Sequence, residues 1–266
     1  MVRFFEPEMD RRLSERYELQ RDMRSAIAHG EFALHYQPQA KIDGEVFGFE
    51  ALVRWFHPTR GLVPPSTFIP LAEQSGMIGE VGEWTLRQAC TEAASWPRPL
   101  HRSSSVMVIW PASCKSVLAD TGLAPGRLEL EITEGVLIND QTRALATLRR
   151  PKLLGVKIAM DDFGTGYASL SGLQSFPFDK LKIDKTFVSG VESNAKSAEI
   201  VRAVIGLGRA LKIPVIAEGV ETAGERSFLM LEGCEELQGY LIGRPAPAAT
   251  YAMLINGDRA NVLMAG

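Results

Sequence analysis

Short apolar runs alternate along the chain with longer stretches in which apolar residues recur at helical spacing. The short runs predict strands and the longer stretches predict helices. The predicted strands are Phe32–Tyr36, Val46–Trp55, Ser105–Ile109, Leu128–Ile132, Lys157–Met160, Lys180–Ile183, Pro214–Ala217 and Glu236–Leu241. Strands that alternate with helices in units of about 30 residues are typical of a parallel β/α architecture. The pattern therefore predicts an α/β fold, a (β/α)8 barrel.

The predicted helices fill the spaces between these strands. They run from Glu8 to about His29, onward from Pro64-Pro65-Ser66, over Val81–Ser95, from about Asp140, over Ala195–Leu211 and over Thr222–Leu231. The first, over residues 1–30, is charged and ends near Gly30, so it is interpreted as a linker helix before a domain over residues 31–266.

Two places break the alternation. Between Ile109 and Leu128 a short, poorly helical stretch joins two strands, which predicts a shortened crossover. Pro151 interrupts an otherwise helical pattern, so that helix is expected to kink or to end near Arg150.

Composition narrows the class of protein. A length of 266 residues with 45% hydrophobic content suits one barrel domain. With a net charge of −3, the chain has no excess of basic residues that would attract extended nucleic acid or an anionic membrane. The cysteines are 3 in number and far apart, which argues against a disulfide framework. No stretch has the length of a membrane span, and we expect a reducing, cytoplasmic location.

Isolated acids follow several of the predicted strands. They are Glu50, Glu131, Asp161, Asp162 and Glu218. All strand carboxyl ends of a β/α barrel open on one face, so these carboxylates should converge. A carboxylate cluster without histidine favours Mg²⁺ or Mn²⁺ over zinc. The alternatives are acids that cap helices and acids that form salt bridges at the barrel rim.

Other charged residues accompany these acids. Lys182 alternates with aliphatic neighbours and is expected to point into the barrel mouth, where it would orient a metal-bound water or only neutralise surplus carboxylates. Arg54 lies on the strand face of Glu50 and is a candidate for clamping a phosphate. Glu134 and Glu221 each follow a candidate ligand by 3 positions and are candidates for supporting its loop.

The same residues form a series of motifs that resembles the EAL domains, bacterial phosphodiesterases that act on cyclic di-GMP. The EAL tripeptide itself is Glu50-Ala51-Leu52. The other matching motifs are YQP at 36–38, FIPLAE at 68–73, ELEITE at 129–134, DDFGTGY at 161–167, LKID at 181–184, VIAEGVET at 215–222 and QGYLIGRPAP at 238–247. The resemblance extends from about Glu31 to the end of the sequence.

The resemblance implies a modified, TIM-like (β/α)8 barrel that cleaves one phosphodiester of cyclic di-GMP to linear pGpG with two Mg²⁺ or Mn²⁺ ions, and Ca²⁺ is expected to inhibit. The implied metal ligands are Glu50, Glu131, Asp161, Asp162 and Glu218. Glu50, Lys182 and Glu221 are the implied catalytic residues, with Lys182 on the attacking water and Glu221 supporting the metal site.

The resemblance also implies a nucleotide pocket and partners. The pocket residues are Gln37, Leu52, Arg54, Asp184, Gln238 and Pro245. Residues of the loop that begins at Asp162 would support the site and a homodimer, namely Phe163, Gly164, Thr165 and Gly166, with Glu134 holding that loop. The opening segment resembles the connector after a GGDEF domain, so an upstream GGDEF or sensory domain is expected.

The sequence departs from the family pattern on one strand. A V-N-x-S motif normally supplies an asparagine ligand there, whereas Val106–Trp110 contains none, so that Ile109 or Trp110 takes its place. Gly135 also stands where Ser or Thr usually follows ITE. Three interpretations stay open: an active phosphodiesterase, a weakly active module that binds cyclic di-GMP as a receptor, and a poorly stable fragment.

Overall fold

The computed structural model describes residues 7–97, 106–109, 114–134, 141–164 and 176–256. The strands in this part of the chain are β1 (Phe32–Lys41), β2 (Val46–His57), β3 (Gly61–Val63), β4 (Val106–Ile109), β5 (Leu128–Thr133), β6 (Lys157–Phe163), β7 (Lys180–Ile183), β8 (Val215–Ala217) and β9 (Glu236–Gln238). The helices are α1 (Pro7–Ala26), α2 (Pro65–Ser75), α3 (Ile78–Ser95), α4 (Cys114–Thr121), α5 (Gln141–Leu154), α6 (Lys185–Val188), α7 (Ala195–Leu211), α8 (Ala223–Glu232) and α9 (Ala252–Ile255). Short 3-10 turns lie at Pro125–Arg127 and Ala248–Tyr251.

The strands pair into a closed ring, which confirms the predicted TIM-like barrel. Its order is β2, β4, β5, β6, β7, β8 and β9, each parallel to the next, and β1 closes the ring between β9 and β2. β1 runs antiparallel to both of its neighbours. This reversed first strand is the modification of the regular barrel, and β3 adds an antiparallel hairpin to β2.

The predicted strands all occur, with small differences in their ends. β9 ends at Gln238 instead of Leu241 because the chain turns at Gly239, whose backbone lies so close to Val220 that no side chain would fit. The stretch predicted to be poorly helical contains α4, a helix of 8 residues. α5 continues through Pro151 to Leu154, so of the two outcomes predicted for this proline, a kink or an end near Arg150, the end does not occur. A proline lacks the N–H donor, so the helix loses a single backbone hydrogen bond at this position.

Alternation along the strands separates an apolar exterior from a charged barrel interior. In β7, Leu181 and Ile183 join the hydrophobic core between strands and helices, and Lys180 and Lys182 alternate with them. Lys180 is buried and lies 3.3 Å from Glu129 Oε1 and 2.9 Å from Glu236 Oε2. Its Nζ is also 4.8 Å from the centre of the Phe47 ring. Lys180, Glu129 and Glu236 thus form a second ionic cluster, and its lysine precedes Lys182 by two residues along β7.

The opening helix α1, predicted as a linker, packs on the outside of the barrel. Its Leu19, Met23 and Ala26 are buried in a second apolar cluster with aromatic residues of β1, β2 and α2. Asp22 Oδ2 lies 3.2 Å from His57 Nε2 at the end of β2. α1 is thereby attached to the strand that carries Glu50.

Two further expectations concern the whole chain. Cys90, Cys114 and Cys234 are buried and free, in agreement with the absence of a disulfide framework. Among the helices of the described ranges, none combines the length and apolar character that crossing a bilayer requires.

Candidate metal and nucleotide site

The carboxyl ends of the parallel strands bring three predicted metal ligands together. Glu131 on β5, Asp161 on β6 and Glu218 directly after β8 have carboxylate oxygens within 4.8 Å of one another. Three oxygen donors at this separation, all at the mouth of the barrel, are a suitable donor set for a hard divalent cation. The convergence that we expected from the sequence is therefore present for these three acids.

Lys182 lies in the centre of this group, with only 1% of its side chain exposed. Its Nζ is 2.5 Å from Glu218 Oε1 and 3.2 Å from Asp161 Oδ1, and it also contacts Glu131 Oε1. A buried ammonium needs such partners, because an unpaired buried charge is strongly unfavourable. Lys182 thus points into the mouth, and it offsets part of the negative charge of the acids.

The pKa values of the clustered acids reflect their burial and their mutual repulsion. Burial, together with the nearby charges of Glu218, Asp162 and Glu50, raises the pKa of Asp161 to about 9. Burial and Glu50 also raise the pKa of Glu218, although Lys182 opposes them. The acids therefore repel one another in a site of low dielectric constant, and bound cations would relieve this repulsion. The donor set and the surplus charge both fit divalent metal ions.

Asp162 occupies a different position from Asp161. Its backbone φ of 55° lies in the left-handed region, at an irregularity in the pairing of β6 with β7. Bulges of this kind redirect side chains near active sites, and aspartate tolerates this conformation better than most residues. Burial raises the pKa of Asp162, and so do the charge of Asp184 and a hydrogen bond with it. Asp162 thus contacts Asp184 and lies outside the trio of Glu131, Asp161 and Glu218.

A network of buried amides holds Glu50 on β2. The Gln238 side-chain amide donates to Glu50 Oε2 and, at 3.2 Å, to Gln37 Oε1. Gln39 donates at 2.8 Å to Gln238 Oε1, and Gln37 donates at 3.0 Å to the Gly243 carbonyl. The network exists because β1 lies between β2 and β9, where Gln37 pairs with Glu50 and Gln39 with Gln238. Gln37 and Gln238 are thus next to Glu50.

A cavity of about 140 Å³ extends from the acids towards Arg54. It is lined by the acids Glu50, Glu131 and Asp161, by Leu52 and Arg54 of β2, and by apolar residues of α2 and α3 that include Pro65, Ile69, Ile78 and Val81. Arg54 is half-buried, and burial lowers the pKa of its guanidinium while the charges of Glu50 and Tyr240 oppose that shift. The arginine therefore lies beside the acids on the wall of one continuous cavity.

Other predicted site residues lie away from this cavity. Asp184 caps α6 and accepts a hydrogen bond from Thr186 N at 2.9 Å. Glu221 is exposed, and its N–H donates to the buried Glu225 at 2.8 Å. Glu134 is buried, and Pro245 lies beside His35, with which its backbone shares a hydrogen bond.

The structure describes only part of the loop that begins at Asp162 and part of the strand where the family normally has an asparagine. Phe163 ends β6, and Gly164 has a φ of 97° and packs against Phe187. Ile109 pairs with Glu131 through the backbone of β4 and β5. Thr165, Gly166, Trp110 and Gly135 lie outside the described residues, as does the side chain of Ile109.

Sequence reasoning missed three residues near the site. Gln39 shares a strand face with Gln37, and Lys180 shares one with Lys182, so the alternation contained a signal for both. Glu225 follows Thr222 at the spacing of a capping box, which was also visible in the sequence.

The fold and the site together define a β/α-barrel protein with an acidic mouth, whose oxygen donors suit divalent cations, beside a cavity that carries an arginine. The model of the EAL domain family matches residues 20–245, which is most of the chain. The protein therefore belongs to the EAL domain family.

Relatives and solved structures agree with this membership. An "uncharacterized signaling protein" of Caulobacter vibrioides is 57% identical over 95% of this chain and 32% of its own length. The bifunctional diguanylate cyclase/cyclic di-GMP phosphodiesterase MucR of Pseudomonas aeruginosa is 40% identical over 92% of this chain and 37% of its own length. The chain thus spans about a third of the length of these relatives. The structure of the PaMucR phosphodiesterase in complex with c-di-GMP has a TM-score of 0.82 and 39% identity, and covers 88% of this chain and 99% of the other.

Proposed function

We propose that this protein hydrolyses one phosphodiester bond of cyclic di-GMP to give linear pGpG, with water activated by two Mg²⁺ or Mn²⁺ ions. The observation that carries the proposal is the convergence of Glu131, Asp161 and Glu218 around Lys182 at the barrel mouth of an EAL domain. Relatives named as cyclic di-GMP phosphodiesterases support the same activity.

The residues that would hold the metal ions are Glu50, Glu131, Asp161, Asp162 and Glu218. Their oxygens suit hard cations. Burial and the neighbouring acids raise the pKa values of Asp161 and Glu218, and bound cations would favour their ionised forms. Two bound ions would activate water and neutralise charge on the attacking and leaving oxygens of the phosphodiester. We expect Ca²⁺ to bind but to support little turnover, because it accepts longer and less regular bonds than Mg²⁺.

The protein's own side chains have the remaining roles. Lys182 would orient the attacking water with its ammonium, which lies against three of the proposed ligands. Arg54 would bind a phosphate of the nucleotide in the adjoining cavity. Gln37 and Gln238 would hold Glu50 in place through the amide network, and Leu52, Asp184 and Pro245 would contact the dinucleotide.

An alternative is a receptor that binds cyclic di-GMP and turns it over poorly, because the usual asparagine ligand is absent from 106–110. Two observations favour the enzyme. All five proposed acidic ligands are present, and the relatives whose names give an activity include phosphodiesterases. Water could take the place of the missing amide oxygen, since Mg²⁺ usually retains several waters.

The direct test is to incubate the purified chain with cyclic di-GMP and either Mg²⁺ or Mn²⁺ and to separate the products by anion-exchange chromatography. We expect pGpG from the wild type. Lys182→Ala should strongly lower the turnover at saturating substrate while substrate still binds, since its proposed contact is with water. Binding of cyclic di-GMP without pGpG formation in either ion would establish the receptor instead.

The proposal also includes partners. We propose a homodimer supported by the loop that begins at Asp162 and continues through Phe163–Gly166, with Glu134 holding that loop. We also propose an upstream GGDEF or sensory domain, because the chain spans only about a third of the length of its relatives. Light scattering on the purified chain tests the dimer, and a monomer at all concentrations would contradict it.

A further inference from the structure

Glu225 is a buried carboxylate that the catalytic proposal does not use. It lies in the first turn of α8 and only 3% of it is exposed. Its Oε1 accepts a hydrogen bond from Gly190 N at 2.9 Å, and its Oε2 accepts from Glu221 N at 2.8 Å and from Thr222 N at 3.0 Å. One side chain therefore connects three backbone donors from two separate loops.

Both of these loops lie next to the candidate site. The first runs over residues 218–222 and begins with the proposed ligand Glu218, whose N–H donates to the Ile183 carbonyl at 3.1 Å. In the same loop Val220 N donates to the Gln238 carbonyl at 3.0 Å. The second loop follows α6 and contains Gly190, whereas α6 itself begins after Asp184. Glu225 thus joins the loop of Glu218 to the segment that follows β7.

The contacts of Glu225 extend beyond those that cap a helix. In a capping box the acid accepts from the N-cap residue, which is Thr222 here, and the N-cap hydroxyl accepts in return. The bonds to Gly190 and Glu221 are additional. Burial alone would raise the pKa of Glu225, but the backbone N–H groups of Gly190, Glu221 and Thr222 lower it on balance. The side chain is therefore ionised at neutral pH and has only acceptors to offer.

We propose that Glu225 is a positioning residue for the metal site, which sets the place of Glu218 by tying the far end of its loop, at Glu221 and Thr222, to Gly190. This inference rests on the proposed function, because it takes Glu218 as a metal ligand. The resemblance implied that the Glu221 side chain supports the metal site. In this proposal Glu225 has that role, and Glu221 contributes through its backbone N–H. Outer groups of this kind commonly change metal affinity by about 10- to 100-fold when they are removed.

The test is Glu225→Gln, which keeps the shape and removes one acceptor end. The amide oxygen can face either Gly190 or the pair Glu221 and Thr222, and the other side then places an N–H group against an N–H group. We expect the Mg²⁺ concentration at half-maximal thermal stabilisation to rise about 10-fold or more. This readout uses the metal alone, so it does not depend on hydrolysis.

Asn194→Ala is the matched control, because Asn194 caps α7 through Lys196 N at 3.1 Å and Ser197 N at 3.2 Å but does not contact the loop of Glu218. It should lower the melting temperature and leave the Mg²⁺ requirement unchanged. An equal rise in the Mg²⁺ requirement in both variants, or no rise in Glu225→Gln, would overturn the proposal. Hydrogen exchange of Gly190 N–H and Glu221 N–H in the wild type provides a test that does not depend on the variant folding. We expect both to become more protected when Mg²⁺ binds, and unchanged protection would overturn the proposal.

These measurements separate the two proposals. If Mg²⁺ stabilises the wild type and Glu225→Gln raises the Mg²⁺ requirement, the positioning role is supported even if no pGpG forms. If the wild type forms pGpG and Glu225→Gln responds to Mg²⁺ as the wild type does, only the positioning role is refuted.

Discussion

Replacing Asp161 by asparagine should stabilise the protein in the absence of Mg²⁺ and should remove most of the stabilisation that Mg²⁺ gives the wild type. In the native protein the pKa of Asp161 is raised to about 9, first by burial and then by the neighbouring acids. In the unfolded chain an aspartate has a pKa of about 3.9. Between these two values the native state retains a proton that the unfolded chain releases, so the wild type loses stability as the pH rises through this window.

The size of this effect follows from the linkage. Each unit of pKa shift corresponds to about 1.4 kcal/mol, so the penalty at about pH 7.5 is on the order of 3–5 kcal/mol. Asparagine does not titrate, and its amide oxygen can still accept the hydrogen bond that Asp162 N donates to Asp161 Oδ1 at 2.9 Å. Without metal, Asp161→Asn should therefore be more stable than the wild type, and the difference should vanish near pH 4.

Saturation with Mg²⁺ should raise the melting temperature of the wild type much more than that of Asp161→Asn. A ligand present at 100 times its Kd stabilises the native state by about 2.7 kcal/mol, which corresponds to a rise of about 5–10 °C in the melting temperature of a domain of this size. The wild type should show this rise, and Asp161→Asn should show little of it because a negatively charged ligand is lost. Thermal unfolding in EDTA and in Mg²⁺ measures both effects.

Asp179→Asn is the control for the substitution itself. Asp179 accepts from Lys152 Nζ at 2.6 and 2.7 Å and from Ile158 N at 2.7 Å, so its replacement should destabilise the protein equally in EDTA and in Mg²⁺. The reasoning fails if Asp161→Asn is the less stable protein in EDTA. In that case the ion pair with Lys182 outweighs the repulsion, and the acids are a structural salt-bridge network at the barrel rim.

Three further changes test other parts of the site. Lys180→Met should lower the free energy of unfolding by about 3–5 kcal/mol in urea titrations, because it leaves the buried charge of Glu129 and the partly buried charge of Glu236 without their ammonium. Adding Glu129→Gln should restore part of the loss, and no restoration would argue against an ionic cause. Arg54→Lys should raise the KM for cyclic di-GMP about 10-fold with little change in kcat, since lysine lacks the planar fork that binds a phosphate at two points; an unchanged KM would remove Arg54 from the nucleotide pocket. Ile109→Asn should lower the Mg²⁺ concentration needed for half-maximal pGpG formation, and a lower melting temperature without that gain would instead place Ile109 in the core and make Trp110 the candidate.

Much of the site was predictable because one geometric rule governs it. Acids that follow parallel strands must meet at one end of a barrel, and Glu131, Asp161 and Glu218 do so. The alternation of β7 also correctly predicted that Lys182 faces the interior. These inferences need only the local strand pattern and the general rule that the carboxyl ends of the parallel strands lie on one face of a barrel.

Other features depend on pairings between distant parts of the chain. The pattern of β1 does not distinguish an antiparallel strand from a parallel one, so the amide network of Gln37, Gln39 and Gln238 could not be derived from it. The left-handed conformation of Asp162 and its contact with Asp184 depend on the irregular pairing of β6 with β7. The bond from Gly190 N to Glu225 joins two loops whose approach only the folded barrel determines.

The position of β1 has a consequence for how the protein is made. β1 is hydrogen-bonded to β2, its neighbour in sequence, and to β9, which leaves the ribosome about two hundred residues later. Until β9 is synthesised, β1 and β8 are open strand edges, and such edges promote association with other chains. Protection of these edges during synthesis would therefore favour folding of a chain of this topology, and its acidic mouth, with Gln238 beside Glu50, is completed only when β9 arrives.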